Sequence, residues 1–158
     1  MELNELINRF SNTTENQTKA IFSSLFIITN QLQTIFDNNI PEISLKQFML
    51  LTIIRQSNQQ LTFTNLGKLL GCSRQNIKKL AYALEKKGFV TITKNNNDVR
   101  ALAIQPTEKL NDYFDNIFIT YQNQLHHLFA YYNETEIKQL FTLLMKLYPG
   151  IKNLENHT

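Results

Sequence analysis

Apolar residues recur at steps of three and four residues along much of the chain, which is the spacing of one face of an α-helix. The longest stretches with this spacing are residues 15–37 and 108–131. Another begins at Asn133, which forms a capping-box pattern with Glu136, and is expected to end before Pro149. The pattern therefore predicts long helices towards both ends of the chain.

Shorter helices are predicted between these long ones. Ser44 can cap a second helix, and Thr64 can cap a third. The third helix is expected to end at Gly71, because glycine tolerates the left-handed conformation that follows many helices. Ser73 then caps a fourth helix, which runs to Lys87. The residues expected to face inward on these three helices are Phe48, Leu50, Leu51, Ile54, Leu66, Leu69, Leu70, Ile77, Leu80, Ala81 and Leu84.

A period of two residues follows the fourth helix and predicts a pair of β-strands. The strands are expected at residues 89–94 and 99–105, and the asparagine-rich residues 95–98 supply the turn between them. Together with the helices, this hairpin predicts a mainly α fold with a small β-wing. The order of short helix, tight turn, longer helix and hairpin suits a protein that places one helix in the DNA major groove.

The regions of the chain differ in the surface that they offer. Residues 42–106 are predicted to form a compact lobe. Residues 10–38 and 107–150 are predicted to form long helices with more aromatic surface than one small domain can cover. Such helices commonly bury the excess against a partner chain. No linker rich in glycine, proline or serine separates the regions, so we expect a single domain over residues 1–158.

Composition places the chain among ordinary globular proteins, since 42% of its 158 residues are hydrophobic. Its single cysteine, Cys72, rules out an internal disulfide. The amino terminus carries acidic residues where a secretory signal would carry basic ones. The apolar stretch at residues 20–28 is too short to span a bilayer. We therefore expect a cytoplasmic protein with no membrane partner.

Positive charge is concentrated in one part of the chain. Between Lys68 and Lys109, nine residues are basic and three are acidic, although the whole chain carries a net charge of only +3. This segment contains the fourth helix and the hairpin. A local basic block of this kind is typical of a surface that binds nucleic acid.

The fourth helix carries the chemistry that DNA binding needs. Its outward stripe is expected to hold Gln75, Lys78, Lys79, Tyr82 and Lys86. Lysine supplies charge to phosphates, while the polar residues near the amino end of the helix can reach base edges. The hydroxyl of Ser73 stands at a helix amino terminus, where a phosphate is favoured electrostatically. The alternative is an ordinary solvated face, but the neighbouring helix and hairpin favour double-stranded DNA as the partner.

Three segments of the chain carry a family resemblance: ISLKQFMLLTII, LGKLLGCSRQNIKKLAYALEKKGFV and DVRALAIQPTEK. In these segments, and over residues 20–150 in all, the chain resembles the MarR family of bacterial transcription regulators. The resemblance implies a winged helix-turn-helix and a homodimer joined by the terminal helices. It also implies binding to pseudo-palindromic promoter DNA, which such dimers often release on meeting a small-molecule effector. We expect repression rather than activation.

The resemblance also assigns roles to single residues. Contacts from the recognition helix would fall on Ser73, Arg74, Gln75, Asn76, Lys78 and Lys79. Arg100 would enter the minor groove from the wing, and Asp98 would hold the wing in place. Arginine suits a narrow A·T-rich minor groove because negative potential is concentrated there. The alternative for Arg100 is a surface ion pair with Asp98. Gly67 stands where alanine is common in the family, which predicts a slightly looser third helix.

An effector pocket in this family lies between the dimerisation helices and the DNA-binding lobe. The residues that would line it here are apolar and aromatic: Phe22, Phe26, Phe48, Tyr113, Phe114 and Tyr121. Aromatic residues at helical spacing more often belong to a core or a dimer interface, so both interpretations stay open. The ligand itself is not indicated by any of these residues.

Metal, cofactor and catalytic chemistry find no support in the sequence. His126 and His127 are adjacent, so on a helix they point about 100° apart and cannot chelate one ion from one face. The chain has no glycine-rich phosphate loop and no nucleophile elbow, and we expect no cofactor, no metal and no enzymatic activity. The main alternative to a DNA-binding regulator is a winged helix used for protein–protein contact. A third hypothesis is a DNA-binding regulator without an effector.

Overall fold

A computed structural model describes residues 3–57, 59–95 and 101–157 of the chain. These residues form eight helices and three strands. The helices are α1 (Leu3–Phe10), α2 (Thr14–Asn39), α3 (Leu45–Gln56), α4 (Phe63–Leu70), α5 (Arg74–Lys86), α6 (Glu108–Leu128), α7 (Glu134–Met145) and α8 (Leu147–Glu155). The strands are β1 (Leu61–Thr62), β2 (Val90–Lys94) and β3 (Leu102–Pro106). The expected mainly α fold with a small β-wing is confirmed.

The chain divides into two compact units, Met1–Phe114 and Asp115–Thr158, with the boundary inside α6. The first unit contains α1 to α5, the three strands and the start of α6. The lobe predicted at residues 42–106 lies wholly within this first unit. The second unit contains the rest of α6 together with α7 and α8.

The α3 helix supplies much of the core of the first unit. Its start is a capping box, in which the Ser44 side chain accepts from the backbone N–H of Gln47 and the Gln47 side chain accepts from the backbone N–H of Ser44. This cap is the one predicted. The four residues expected to be buried are all nearly inaccessible: Phe48, Leu50, Leu51 and Ile54. Burial of side chains of this size is the main force that stabilises such a core.

The predicted boundaries of α4 need correction. The helix begins one residue earlier than its proposed cap, at Phe63, and Thr62 rather than Thr64 accepts the capping bond from the backbone N–H of Asn65. Leu69, expected to face inward, is 61% exposed. The buried stripe starts at Phe63 and continues through Leu66, so Leu69 falls outside it.

The α5 helix agrees with the prediction at both ends. The Ser73 hydroxyl accepts from the backbone N–H of Asn76 at 3.2 Å and caps the amino end. Gly88, which follows the carboxyl end, adopts φ +80°, and Gly71, which ends α4, adopts φ +64°. Left-handed conformations of this kind favour glycine because it has no Cβ.

The three strands form an antiparallel sheet in the order β1-β3-β2. In the predicted hairpin, Ile92 of β2 pairs with Ile104 of β3. On the other edge of β3, Leu61 of β1 pairs with the same Ile104. The short β1 was not predicted, since two residues cannot display an alternating pattern. The turn between β2 and β3 lies outside the described residues.

The terminal helices differ from prediction in extent. Helix α6 ends at Leu128 rather than residue 131, and the predicted capping box of Asn133 and Glu136 starts α7. A further helix, α8, contains Pro149 in its first turn, where the missing N–H of proline is tolerated. Helix α1 at the amino end was also not predicted. Among the described helices, none is both long and apolar enough to cross a membrane.

Large apolar side chains of the second unit remain exposed in the single chain. Fourteen exposed large hydrophobic side chains lie between Phe118 and Leu154, whereas Ile117 alone of the described residues 115–157 is a buried hydrophobic one. Large exposed apolar patches are uncommon on soluble monomers. The described part of the second unit therefore has apolar faces that its own chain does not cover.

Gly67 provides a test of the turn between α4 and α5. A Cβ at this position would lie 2.7 Å from the backbone oxygen of Cys72, so alanine forces this turn to shift. We expect Gly67→Ala to lower the free energy of unfolding by about 1–2 kcal/mol, although alanine is intrinsically the better helix former. Urea unfolding followed by circular dichroism measures the change.

Gly150→Ala is the matched control because a Cβ there meets nothing within 4 Å in α8. We expect it to leave stability unchanged or to raise it slightly. Equal stabilisation by both substitutions would show that the close approach at Gly67 is absent. The glycine is thus a consequence of tight packing, and not merely a weak point in the helix as the sequence suggested.

Candidate nucleic-acid interface

The turn between α4 and α5 sets how the two helices meet. The backbone N–H of Cys72 donates to the carbonyl of Gly67 at 2.9 Å, which folds the chain back immediately after α4. Leu66 of α4 and Ile77 of α5 are both fully buried. The half-buried Cys72 lies at this turn. This arrangement is a helix-turn-helix, with α5 as its second helix.

One side of α5 is buried and the opposite side faces solvent. The residues Ile77, Ala81 and Leu84 are fully buried, and Leu80 is half-buried. The opposite stripe is exposed, as predicted, at Gln75, Lys78, Lys79, Tyr82 and Lys86. The division of the helix into an inward apolar stripe and an outward polar one is therefore confirmed.

The amino end of α5 presents hydrogen-bonding groups to solvent. Arg74, Gln75 and Asn76 form its first turn and are exposed. The Ser73 oxygen accepts the capping bond, which leaves its hydroxyl hydrogen able to donate. Free backbone N–H groups and the helix dipole give this end a partial positive charge. These groups together suit a negatively charged, hydrogen-bonding surface such as the edge of a DNA groove.

The acidic side chain of α5 points away from its outward face. Glu85 is half-buried, and its carboxylate accepts a hydrogen bond of 2.8 Å from the backbone N–H of Ile92 in β2. The Glu85 carboxylate therefore does not neutralise the positive charge of the outward face. The same bond attaches the carboxyl-terminal part of α5 to the sheet.

Tyr82 is a surface residue whose role the sequence prediction did not specify. The residue is 44% exposed, and its ring centroid lies 5.8 Å from Nζ of Lys78. The buried Phe63 packs edge-on against the Tyr82 ring, with 6.4 Å between centroids. A cation near an aromatic face is attracted to it. Tyr82 can thus orient Lys78, and the helical spacing that placed it on the outward stripe was the signal for it.

The β2–β3 hairpin stands directly after α5. At its far end the backbone N–H of Asn95 donates to the carbonyl of Ala101 at 2.9 Å, and Asn95 is buried. The two wing residues of the prediction, Asp98 and Arg100, lie outside the described residues. Their assignment to the minor groove and to the wing stays a prediction.

Similarity to known proteins agrees with this arrangement. Residues 43–102 match the sequence profile of the MarR family. The transcriptional repressor MprA of Escherichia coli (strain K12) is 32% identical to the chain over 106 residues, which are 67% of this chain and 60% of that protein. The chain belongs to the MarR family. It spans 60% of the length of this curated relative.

Solved structures related to this MarR-family chain share its fold at low sequence identity. The transcriptional regulator BldR from Sulfolobus solfataricus has a TM-score of 0.78 at 15% identity, with 87% of this chain and 98% of that chain covered. The MepR–DNA complex from S. aureus gives 0.71 at 20% identity, with coverage of 82% and 97%. Likeness at this identity concerns the fold, which is that of MarR winged-helix regulators.

The predicted effector-pocket residues of the MarR-family chain belong partly to the first unit and partly to the second. Phe48, Tyr113 and Phe114 belong to one ring cluster, with centroids 5.2 Å apart for Phe48–Phe114 and 6.2 Å apart for Tyr113–Phe114. Phe22 and Phe26 form an exposed edge-on pair on α2. Tyr121 is half-buried and lies in the second unit.

The ring cluster is packed rather than open. Phe48 and Tyr113 are buried, whereas Phe114 is half-buried and has the Arg55 guanidinium 5.0 Å from its ring centroid. A separate cavity of about 330 Å³ opens beside β1 and β3 and is lined by Leu61, Ile104 and six other residues. None of its lining residues is in the predicted pocket. Among the described residues, no group of three histidine, cysteine or acidic side chains could hold a metal ion.

The Tyr113 hydroxyl fastens this cluster to the loop between α2 and α3. It donates to the carbonyl of Pro41 at 2.5 Å. Burial raises the pKa of Tyr113 from 10.0 to about 12, and the negative charge of Glu42 adds to the increase. The folded state therefore favours the neutral phenol. This contribution to stability is complete below pH 10 and is lost as the pH rises through about 12.

Tyr113→Phe tests this linkage. At neutral pH we expect the variant to lose about 1 kcal/mol of unfolding free energy, because one hydrogen bond is removed. Between pH 10 and 12 the unfolding free energy of the unchanged protein should fall more steeply than that of the variant. Urea unfolding at a series of pH values measures both curves. Parallel curves would contradict the raised pKa.

Proposed function

We propose that this MarR-family chain is a sequence-specific, DNA-binding transcription regulator. The outward face of α5 is the observation that carries the proposal. It combines exposed lysines with polar residues at a helix amino terminus, and the one acidic side chain of the helix is turned towards the sheet. Cationic faces of this shape and charge suit the major groove of duplex DNA.

The residues of α5 divide between two tasks. Lys78 and Lys79 supply charge to phosphates, which positions the protein without reading sequence. Arg74, Gln75 and Asn76 lie at the end of the helix that enters the groove and provide the donors and acceptors that read base edges. Ser73 donates to a phosphate from the helix cap. Arg100 in the minor groove completes the proposed set, with Asp98 supporting the wing.

The described functions of two similar proteins support this proposal. MprA is a transcriptional repressor, and MepR has been solved in complex with DNA. We infer from MprA that this chain represses rather than activates. The rival hypothesis of a protein–protein module has no such support, and it would require an apolar outward face on α5, where this chain has lysines.

We propose further that the chain acts as a homodimer. The support is the set of exposed apolar side chains in the second unit, which a second copy of the chain would cover. A twofold dimer presents two recognition helices to DNA, so its operator should be pseudo-palindromic. The proposal also includes the expected cytoplasmic location, since a bacterial regulator meets its promoter there.

We propose that a small-molecule effector binds at the ring cluster of Phe48, Tyr113 and Phe114. Phe114 is the half-buried member of the ring cluster, so a ligand can reach it without first displacing a buried ring. Access to Phe48 or Tyr113 requires the cluster to open. Phe22, Phe26 and Tyr121 remain candidate contacts from the predicted set.

Capture of genomic DNA fragments at roughly physiological salt tests the regulator function directly. Recovery of promoter fragments that share an inverted repeat, with half-sites about one helical turn apart, is the expected result. Uniform retention of all fragments would indicate non-specific binding, and no retention would favour the protein–protein module. Compounds that lower retention of the recovered fragments would identify an effector.

The role of Lys79 is tested by the salt dependence of operator binding. Lys79→Ala should weaken binding to all sequences and reduce the slope of log affinity against log salt by about 0.9, the value for one lost phosphate contact. Lys19→Ala, on α2, removes an exposed lysine that pairs with Glu15 and should leave both quantities unchanged. A change in sequence preference would instead make Lys79 a base-reading residue.

The homodimer is tested by a charge placed on its proposed interface. Phe141 is 64% exposed on α7, so Phe141→Asp should not disturb the fold of the single chain. We expect the variant to sediment as a monomer at concentrations at which the unchanged protein is a dimer, because a buried unpaired carboxylate disfavours association. Gln139→Asp, at an exposed polar position on the same helix, is the control. A monomeric unchanged protein would contradict the proposal.

A further inference from the structure

The chain makes a corner at Lys87, Gly88 and Phe89, where the proposed recognition helix α5 turns into β2. Two backbone bonds close the corner, from Gly88 N–H to the carbonyl of Glu85 at 2.8 Å and from Phe89 N–H to that of Leu84 at 3.0 Å. Phe89 is fully buried. The position of this corner therefore sets where the carboxyl end of α5 lies.

The start of α6 holds this corner from one side. The Thr107 hydroxyl donates to the carbonyls of Gly88 and Phe89, at 2.7 Å and 3.0 Å. Nζ of Lys109 donates to the carbonyl of Lys87 at 2.9 Å and lies 4.4 Å from the ring centroid of Phe89. One lysine of α6 therefore contacts both the backbone and a buried ring of the corner.

The loop between α2 and α3 holds the corner from the other side. Nζ of Lys87 donates to the backbone carbonyl of Glu42 and to the side-chain oxygen of Gln47, the latter at 3.3 Å. The Glu42 carboxylate lies 3.3 Å from Nζ of Lys109. Glu42 itself adopts φ +68°, a left-handed conformation that costs free energy in any residue other than glycine. A strained residue at the meeting point of three segments is expected where the surroundings hold it in place.

We infer that Glu42, Lys87 and Lys109 are positioning residues for DNA binding, which fix the carboxyl end of α5 against α6 and the α2–α3 loop. Lys87 and Lys109 belong to the basic segment that charge alone assigns to phosphates. Their ammonium groups are instead directed to groups of the chain itself. This inference rests on the proposed function, since it concerns how the recognition helix is placed.

Because the ion pair between Lys109 and Glu42 is exposed, its effect on the placement of α5 can be measured separately from its effect on folding stability. The side chains of Lys109 and Glu42 are 48% and 53% exposed, and exposed ion pairs contribute little to folding. Loss of the pair should therefore leave the chain folded while the corner becomes less well held. DNA affinity then reports the placement of α5 rather than the amount of folded protein.

The most decisive test is whether Glu42→Gln raises or lowers the affinity for DNA. This substitution makes the net charge more positive, so a general electrostatic effect would strengthen DNA binding. Positioning predicts the opposite, an operator affinity lowered by about fivefold. Lys109→Met, which keeps the alkyl chain, should lower affinity by a similar factor without changing the salt slope, in contrast to Lys79→Ala. The double variant should be no weaker than the weaker single variant, because both changes break the same contact.

Hydrogen exchange in the full-length protein without DNA gives a second measurement. Both substitutions should speed amide exchange in the peptide that covers residues 85–92, whereas Lys79→Ala should not. Unchanged exchange, a salt slope reduced by about 0.9 in Lys109→Met, or stronger binding by Glu42→Gln would each overturn the inference. If the unchanged protein bound no DNA, the proposed function would fail, while the exchange measurement would still decide whether this corner is held as described.

Discussion

The burial of one stripe of α5 is the constraint on which the rest of the lobe depends. Because Ile77, Ala81 and Leu84 are fully buried, the rotation of the helix about its axis is determined, and so are the residues that face solvent. The tight turn at Gly67 and the Glu85 bond to β2 hold the two ends of this arrangement. An outward face that is basic and hydrogen-bonding therefore follows from an inward face that is purely apolar.

Large apolar side chains are buried to different extents in different parts of the chain. In the first unit, α3, α4, α5 and the sheet contribute buried apolar residues to a common core, whereas α2 exposes several of its own, among them Phe22 and Phe26. The described part of the second unit leaves most of its large apolar residues exposed. Apolar surface left in water is unfavourable in proportion to its area. Both observations are consistent with the proposed roles of the two units, which are DNA binding by the first and contact with a partner chain by the second.

Elements with local signals could be predicted from the sequence. The caps at Ser44, Ser73 and Asn133 depend on residues within one helical turn, so their pattern is visible without the fold. The short β1 could not be found, because its two residues pair with β3, far along the chain. The prediction that Leu69 faces inward was wrong, because α4 contains more leucines than its narrow buried stripe can hold. Only packing shows which of them is buried.

The candidate site, too, could be predicted only in part from the sequence. The sequence by itself determined the outward residues of α5, since helical spacing separates Lys79 from Ile77 whatever the helix packs against. Only the tertiary structure decided which basic residues are available to a partner. The contacts of Lys87 with Gln47 and of Lys109 with Glu42 span 40 and 67 residues of sequence, and neither can be read from a local pattern. Periodicity records which side of a helix is apolar, whereas the pairing of charges depends on which distant segments the fold brings within hydrogen-bonding distance.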